Sequence, residues 1–221
     1  MAVQKCSNFG NPYIGLFAKA SDKLVAVDLA ASPKLLKVLP TLGVPVELTT
    51  FCGSGLAGIF LAMNSNGVVL PKFSGKEEIA IFKRHGLNVS FISGPFSAVG
   101  NNIAANDFGA IVNPEMSSHD RKIISDALGV EVVGKHVAGF VTAGSCITAT
   151  NKGFIAHNRS TEEELKEFKS ILKVDGVNCT VNMGTAFVSL GVIANSKSAL
   201  FGEATTGFEI GKASDALGVL A

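Results

Sequence analysis

The chain has 221 residues, of which 47% are hydrophobic and 17% charged, with a formal net charge of +1. Such a chain can bury a substantial core, as one large domain or two small ones. The near-neutral charge excludes a protein that grips nucleic acid chiefly by neutralising phosphates, and no Trp with a single Tyr leaves few platforms for stacking bases.

The N-terminal MAVQKCSNFGNPYIG lacks the apolar run of a signal sequence, and no later segment reaches membrane-span length, so a cytoplasmic location is expected. AVQKCSNF reads as a strand. FAKASDKLVAVD then sets a polar turn, with Lys23 at its tip, between two apolar runs. Ser32-Pro33 opens a helix with a hydroxyl cap and proline in the first position, and Leu42-Gly43-Val44 closes it. VPVELTTF follows as a strand.

From there the same grammar returns. The turn slot recurs at Gly67 in AMNSNGVVLP, Gly109 in AANDFGAIVNP, Gly153 in TATNKGFIAHN and Ser198 in IANSKSALFGE. A helix end recurs at His85-Gly86-Leu87, Leu128-Gly129-Val130, Leu172-Lys173-Val174 and Leu217-Gly218-Val219. Two independent markers keeping step define a fivefold repeat of about 44 residues. Helix starts are expected at Ser74-x-x-Glu77, Ser117-x-x-Asp120, Ser160-x-x-Glu163 and Thr206-x-x-Glu209, where hydroxyl and acid satisfy free backbone N–H groups. In EEELKEFKSILK, residues Leu165, Phe168, Ile171 and Leu172 share one face, as a helix lying on a sheet requires. The expected units are residues 11–52, 53–94, 95–139, 140–184 and 185–221 of a single domain, 1–221. The last unit stops directly after its helix, and the strand in residues 1–10 is expected to supply its missing strand and close a ring.

One stretch invites another reading. Cys52-Gly53-Ser54-Gly55-Leu56-Ala57-Gly58 fits the G-x-G-x-x-G dinucleotide pattern after a strand, with Glu77 and Glu78 where a ribose-binding acid would stand. The matching junctions, PFSAVG, FVTAG and TAFVS, do not carry the pattern. The following IFLAMNSNG also reaches a turn too soon for a crossover helix. CGSGLAG is therefore read as a glycine-rich junction, and no cofactor is expected. Nor is a metal: Cys6, Cys52, Cys146 and Cys179 form no CxxC pair, and His85, His119, His136 and His157 show no HxxxH or HExxH spacing. The cysteines read as small buried residues.

NPYIGLFAKAS, SAVGNNIAANDFGAIVNPEM, LGVEVV and TTGFEIGKASDALG, in this order and at these places, resemble the translation initiation factor 6 family, the ribosome anti-association factors of archaea and eukaryotes. The resemblance covers the whole chain. It implies an α/β class, the pentein fold: a fivefold pseudosymmetric α/β propeller around a central, water-filled hole. It also implies binding to the large ribosomal subunit, at a ribosomal protein of the uL14 family beside the sarcin–ricin loop, so that the small subunit is sterically excluded. The sequence ends at DALGVLA without the tail of eukaryotic members, which points to the archaeal type. Such a role needs no chemistry, and a monomer suffices.

Candidate ribosome-binding residues are the small polar groups at junction starts where similar loops converge, Asn101, Asn102 and Ser145, with Ile59 in the matching slot of the second unit. The resemblance adds the segment from Thr205 to Ser214, including Thr205 and Thr206. Asn64, Asn106 and Asn195 occupy hairpin turns, where Asn is favoured for backbone reasons alone. Two rival functions remain. Pentein enzymes that modify guanidino groups need a cysteine nucleophile near the C-terminus, a histidine and paired acids around the pore. Here the last cysteine is Cys179, and no histidine stands in an H-x-D or H-x-E pair. A general ribosome-assembly scaffold holding RNA would bind with strong salt dependence, which the charge argues against.

Overall fold

The computed structural model describes residues 3–51 and 53–219. Its strands form five three-stranded sheets, each with an antiparallel inner pair and a parallel outer pair. In the first blade the inner strand Ala18–Ala20 pairs with the middle strand Val25–Asp28, which pairs in parallel with the outer strand Val46–Thr49. The second, third and fourth blades repeat this order around the middle strands Gly67–Pro71, Gly109–Val112 and Phe154–His157. In the fifth, Val192–Ala194 and Ala199–Gly202 are completed by the strand Val3–Cys6 from the other end of the chain, with Val3 opposite Ala199 and Cys6 opposite Gly202. The expected closure by the N-terminal strand is what the structure has, and the molecule is a fivefold α/β propeller of the pentein type.

The middle strands are apolar without alternation because both of their faces are covered. Val25 and Val27 pack with Ile193 and Leu200 of the fifth blade, whereas Leu24 and Ala26 pack with Leu61, Val68 and Phe82 of the second. Each of the five cores thus lies between neighbouring sheets, as full burial of a parallel-type strand demands.

Two sets of close contacts set the distance between blades. Each junction passes through a short axial helix: Ile14–Leu16, Ala57–Phe60, Val99–Asn102, Ala143–Cys146 and Val188–Gly191. A Cβ on Gly58 would collide with the carbonyl oxygen of Gly15, one on Gly100 with that of Gly58, and one on Gly144 with that of Gly100. Gly15 meets the Ser189 carbonyl in the same way, which carries the contact across the closure. This accounts for the last glycine of CGSGLAG, which is a packing residue; Cys52, at the start of that motif, lies outside the described residues. Glu78, at the place of a ribose-binding acid, instead caps its own helix, with Gly75 N–H donating to its carboxylate at 2.7 Å.

The second set lies at the opposite end of the blades. Asn64 Nδ2 donates to the Asn106 carbonyl (3.1 Å) and the Leu128 carbonyl (2.8 Å) of the next blade. Asn106 repeats this with Thr150 and Leu172, and Asn195 with Ser21 and Leu42 across the closure. Their Oδ1 atoms meanwhile accept from their own turns, at Gly67, Gly109 and Ser198. One residue farther on, Ser65 N–H donates to Asp107, Asp107 N–H to Asn151, Asn151 N–H to Ser196, and Ser196 N–H to Asp22.

The longer helices lie outside the sheets. Ser32, Ser117 and Thr206 cap theirs as expected. At the two other helices the expected boundary moves by one residue. Gly75, not Ser74, is the cap of Lys76–Arg84, and Thr161, not Ser160, is the cap of Glu162–Leu172, where Thr161 N–H donates to Glu164. In both, the acid that reaches back is the last of a run of adjacent glutamates (Glu78 after Glu77, Glu164 after Glu162 and Glu163), a choice a spacing rule cannot make. Each helix ends in a left-handed residue: Gly43, Gly86, Gly129, Gly218 and, where glycine is missing, Lys173 at φ 57°.

Gly58→Ala is expected to destabilise the fold by about 3 kcal/mol, because the added methyl meets a backbone carbonyl that cannot rotate away. Gly211→Ala, in a helix with open space around its Cα, is expected to stabilise by roughly 0.5–1 kcal/mol. Urea unfolding of the two variants checks the contrast, and equal effects would contradict the packing role given to Gly58.

Candidate functional site

Strand directions sort every loop onto one of two faces. The middle and outer strands of a blade run parallel, so the helix N-termini and the junction loops leave the sheet at the same end. The axial helices sit there too, since each inner strand starts opposite the end of its middle strand, as Ile103 does opposite Val112. Hairpin turns and helix C-termini occupy the other face. The expected residues Ile59, Asn101, Asn102, Ser145, Thr205 and Thr206 consequently all belong to the junction face.

They differ in what they do there. Ile59, Asn101 and Ser145 occupy the same slot of three successive axial helices, one residue after the contact glycines. Ile59 and Asn101 are partly accessible, whereas Ser145 is buried with its hydroxyl donating to the Thr142 carbonyl at 2.8 Å. Asn102 points inward: its Nδ2 donates to the Ala98 carbonyl, and its Oδ1 accepts from Asn113 Nδ2, both at 2.8 Å. Thr205 is fully buried, and its hydroxyl ties the loop at Asn182 by donating to the Asn182 side chain and accepting the Asn182 N–H. Thr206 is exposed and caps the last helix.

Glu209 organises this edge. Its carboxylate accepts from the Met183 and Gly184 N–H groups of the fourth junction, from the Thr180 hydroxyl and from Thr206. Burial pushes its pKa up, but hydrogen bonds from Thr206, Thr180 and Gly184 outweigh that and hold it at about 2.

Sequence reading missed the most exposed feature of the junction face. Phe208 (83% exposed), Met183 (76%) and Phe9 (75%) stand out from it, joined by Phe73, Leu29 and Tyr13. Large apolar side chains held open to solvent on one face mark an interaction surface. Three of them follow or precede glycine (Phe9-Gly10, Met183-Gly184, Gly207-Phe208), a loop-tip signal that was available in the sequence. Phe9 and Met183 also hold positive φ, at 49° and 59°. Among the described residues of the hairpin turns, by contrast, Phe108 is the one large apolar side chain that is exposed.

The axial cavity is lined by small and aliphatic residues, with Lys19 as the one titratable group among the described residues. Burial raises the Cys6 and Cys179 thiols to about 12 and the Cys146 thiol to about 11, the reverse of an activated nucleophile. Among the described residues no cluster of His, Cys, Asp or Glu is arranged to hold a metal, and no helix is long and apolar enough to cross a membrane.

By its architecture the chain falls in the pentein class of fivefold α/β propellers, with large apolar side chains exposed on the loop-built junction face. The eIF-6 family profile matches residues 3–216. Translation initiation factor 6 of Pyrococcus abyssi is 34% identical over 229 residues, spanning all of both chains. Those of Saccharolobus islandicus (34%, 99% of this chain and all of the relative) and Thermoplasma acidophilum (33%, 97% and 99%) are similar over the same extent. This chain is a member of the eIF-6 family.

Two outcomes follow. Asn102→Ala is expected to cost about 1–3 kcal/mol of stability, since it leaves Asn113 unpaired in the interior, while Asn101→Ala stays within about 0.5 kcal/mol. Chemical denaturation of both variants measures the difference. For Glu209, the folded pKa lies below the unfolded value, so its contribution is complete above about pH 4.3 and is lost as pH falls toward 2. Glu209→Gln should flatten the acid limb of the stability–pH curve in that window, and an unchanged limb would show that the carboxylate contributes nothing there.

Proposed function

We propose that this protein is a translation initiation factor that acts in the cytoplasm as a monomer, binding the large ribosomal subunit and keeping the small subunit from joining it. The whole chain, 1–221, serves as a single rigid domain and catalyses no reaction. The junction face is the docking surface, and its partner is a uL14-family ribosomal protein beside the sarcin–ricin loop. The observation that carries this reading is the gathering of Phe9, Met183 and Phe208, exposed, on the face that also holds Ile59, Asn101 and Thr206. Family membership supports the class of partner.

The magnitudes are favourable. A stable interface takes about 800 Å² from each partner, roughly a tenth of the 8788 Å² accessible surface of this chain. One face suffices. Exposed aromatic and Met side chains are the types that supply binding energy in an interface core. Within this reading Asn102, Ser145 and Thr205 serve by holding the backbone of that face, while Ile59, Asn101 and Thr206 touch the partner.

Co-sedimentation with purified subunits tests the proposal. The protein should pellet with large subunits and not with small ones, and adding it should deplete joined ribosomes. Phe208→Glu together with Met183→Glu should weaken large-subunit binding by at least tenfold with the melting temperature kept. Phe108→Glu, on the turn face, should bind like the parent. If subunits still pair at saturating protein, the anti-association role is wrong; if Phe108→Glu is the variant that fails, the face is wrong.

A further inference from the structure

The propeller axis contains a cavity of about 30 Å³ among the inner strands. That is room for roughly two or three water-sized particles. Lys19, Ala62, Ala104, Thr148 and Ile193 occupy the same slot of the five inner strands, two residues before the locking position (Ser21, Asn64, Asn106, Thr150 and Asn195). In four of the five blades that slot holds an uncharged side chain, and in the first it holds an ammonium group. Among the described residues Lys19 makes no ion pair and no side-chain hydrogen bond. Thr148 Oγ1, also at the cavity wall, is buried without a hydrogen-bond partner.

We propose that this cavity is a binding site for a small monovalent anion of the halide type, held by the Lys19 ammonium and the Thr148 hydroxyl. Both groups are donors, and the remaining wall is formed by Ala, Met, Val, Ile and Ser189 residues, which bring no competing negative charge. Lys19 is half-buried at the cavity wall, and a cation drawn out of water without a counter-charge carries a desolvation cost that an anion in contact offsets. Burial alone lowers the Lys19 pKa to about 8, with no carboxylate acting against it. The charged groups at the adjoining mouth are Asp22 and Asp107, and both are engaged: Asp22 accepts from Ser196 N–H, Asp107 from Ser65 N–H, and Asn151 Nδ2 bridges the two carboxylates at 2.8 and 2.6 Å. The volume selects for size. A single-atom anion fits, whereas a phosphate with its four oxygens does not.

The site is independent of ribosome binding and is tested without it. Crystals grown or soaked in sodium bromide should show one anomalous peak in the axial cavity, within contact distance of Lys19 Nζ and Thr148 Oγ1. In solution, melting temperature is compared in sodium chloride and sodium gluconate at equal ionic strength. At chloride about ten times its dissociation constant, the parent should melt roughly 3–6 °C higher than in gluconate. Lys19→Met should abolish the difference, and Thr148→Val, which removes only the hydroxyl, should weaken apparent chloride affinity by at least threefold. Raising the pH from 7 to 9.5 should remove the chloride effect in the parent as Lys19 loses its proton. No bromide peak in the cavity, equal melting in both salts, or a parent-sized chloride effect in Lys19→Met would overturn the proposal and leave a lysine hydrated by water.

Discussion

The approach of one blade's backbone to the next is the constraint on which everything else depends. At the junction face the limit is steric: successive axial helices touch backbone to backbone through Gly15, Gly58, Gly100 and Gly144. At the turn face it is polar, because the amides of Asn64, Asn106 and Asn195 donate to helix-end carbonyls of the following blade, which have no intrahelical donor. Between blades two and three, three and four, and five and one, both contacts are present and pin the neighbours at both ends, which fixes the angle at which the ring closes. Side chains between the sheets then fill a space whose width was already determined, and five separate cores become one continuous ring.

That geometry also decides where function can reside. The inner strands converge on an axis lined largely by alanine and aliphatic side chains, and the sheet faces are consumed by packing. What is left for recognition is the loop ends. Repetition places these in equivalent positions, and departures from repetition give them character: Phe9, Met183 and Phe208 stand out at the closure, the fourth blade and the fifth. The first blade's lysine at a slot that is uncharged in the four others is a departure of the same kind, turned inward.

Much of this architecture is legible in the sequence, because periodicity is a property of the chain itself. Turn slots, helix ends and the orphan N-terminal strand all announce themselves by spacing, and the closure between Val3–Cys6 and Ala199–Gly202 follows from counting strands. Cap positions at Gly75 and Thr161 were missed by one residue, since tandem glutamates satisfy the spacing rule twice. The turn asparagines were read only as turn formers. Their bonds to the next blade join residues 42 or more apart in sequence, and no local pattern encodes such a contact. The six candidate residues are on one face, but the sequence does not distinguish Asn101, with accessible surface, from Asn102, buried beside Asn113. That difference comes from the winding of a short helix, where one residue is a rotation of about 100° about its axis.

The closing strand has a bearing on how the protein is made. Val3–Cys6 precedes every other described strand in the chain, yet its pairing partner Ala199–Gly202 is the last of them to be made. Until then the earliest residues have no sheet to join, and the first and fifth blades remain without the core they share. Contacts this remote in sequence are slow to form, and an unpaired edge is open to wrong partners meanwhile. Blades two to four can therefore assemble before the seam exists, and the circle is sealed only once the middle strand of the fifth blade has been made.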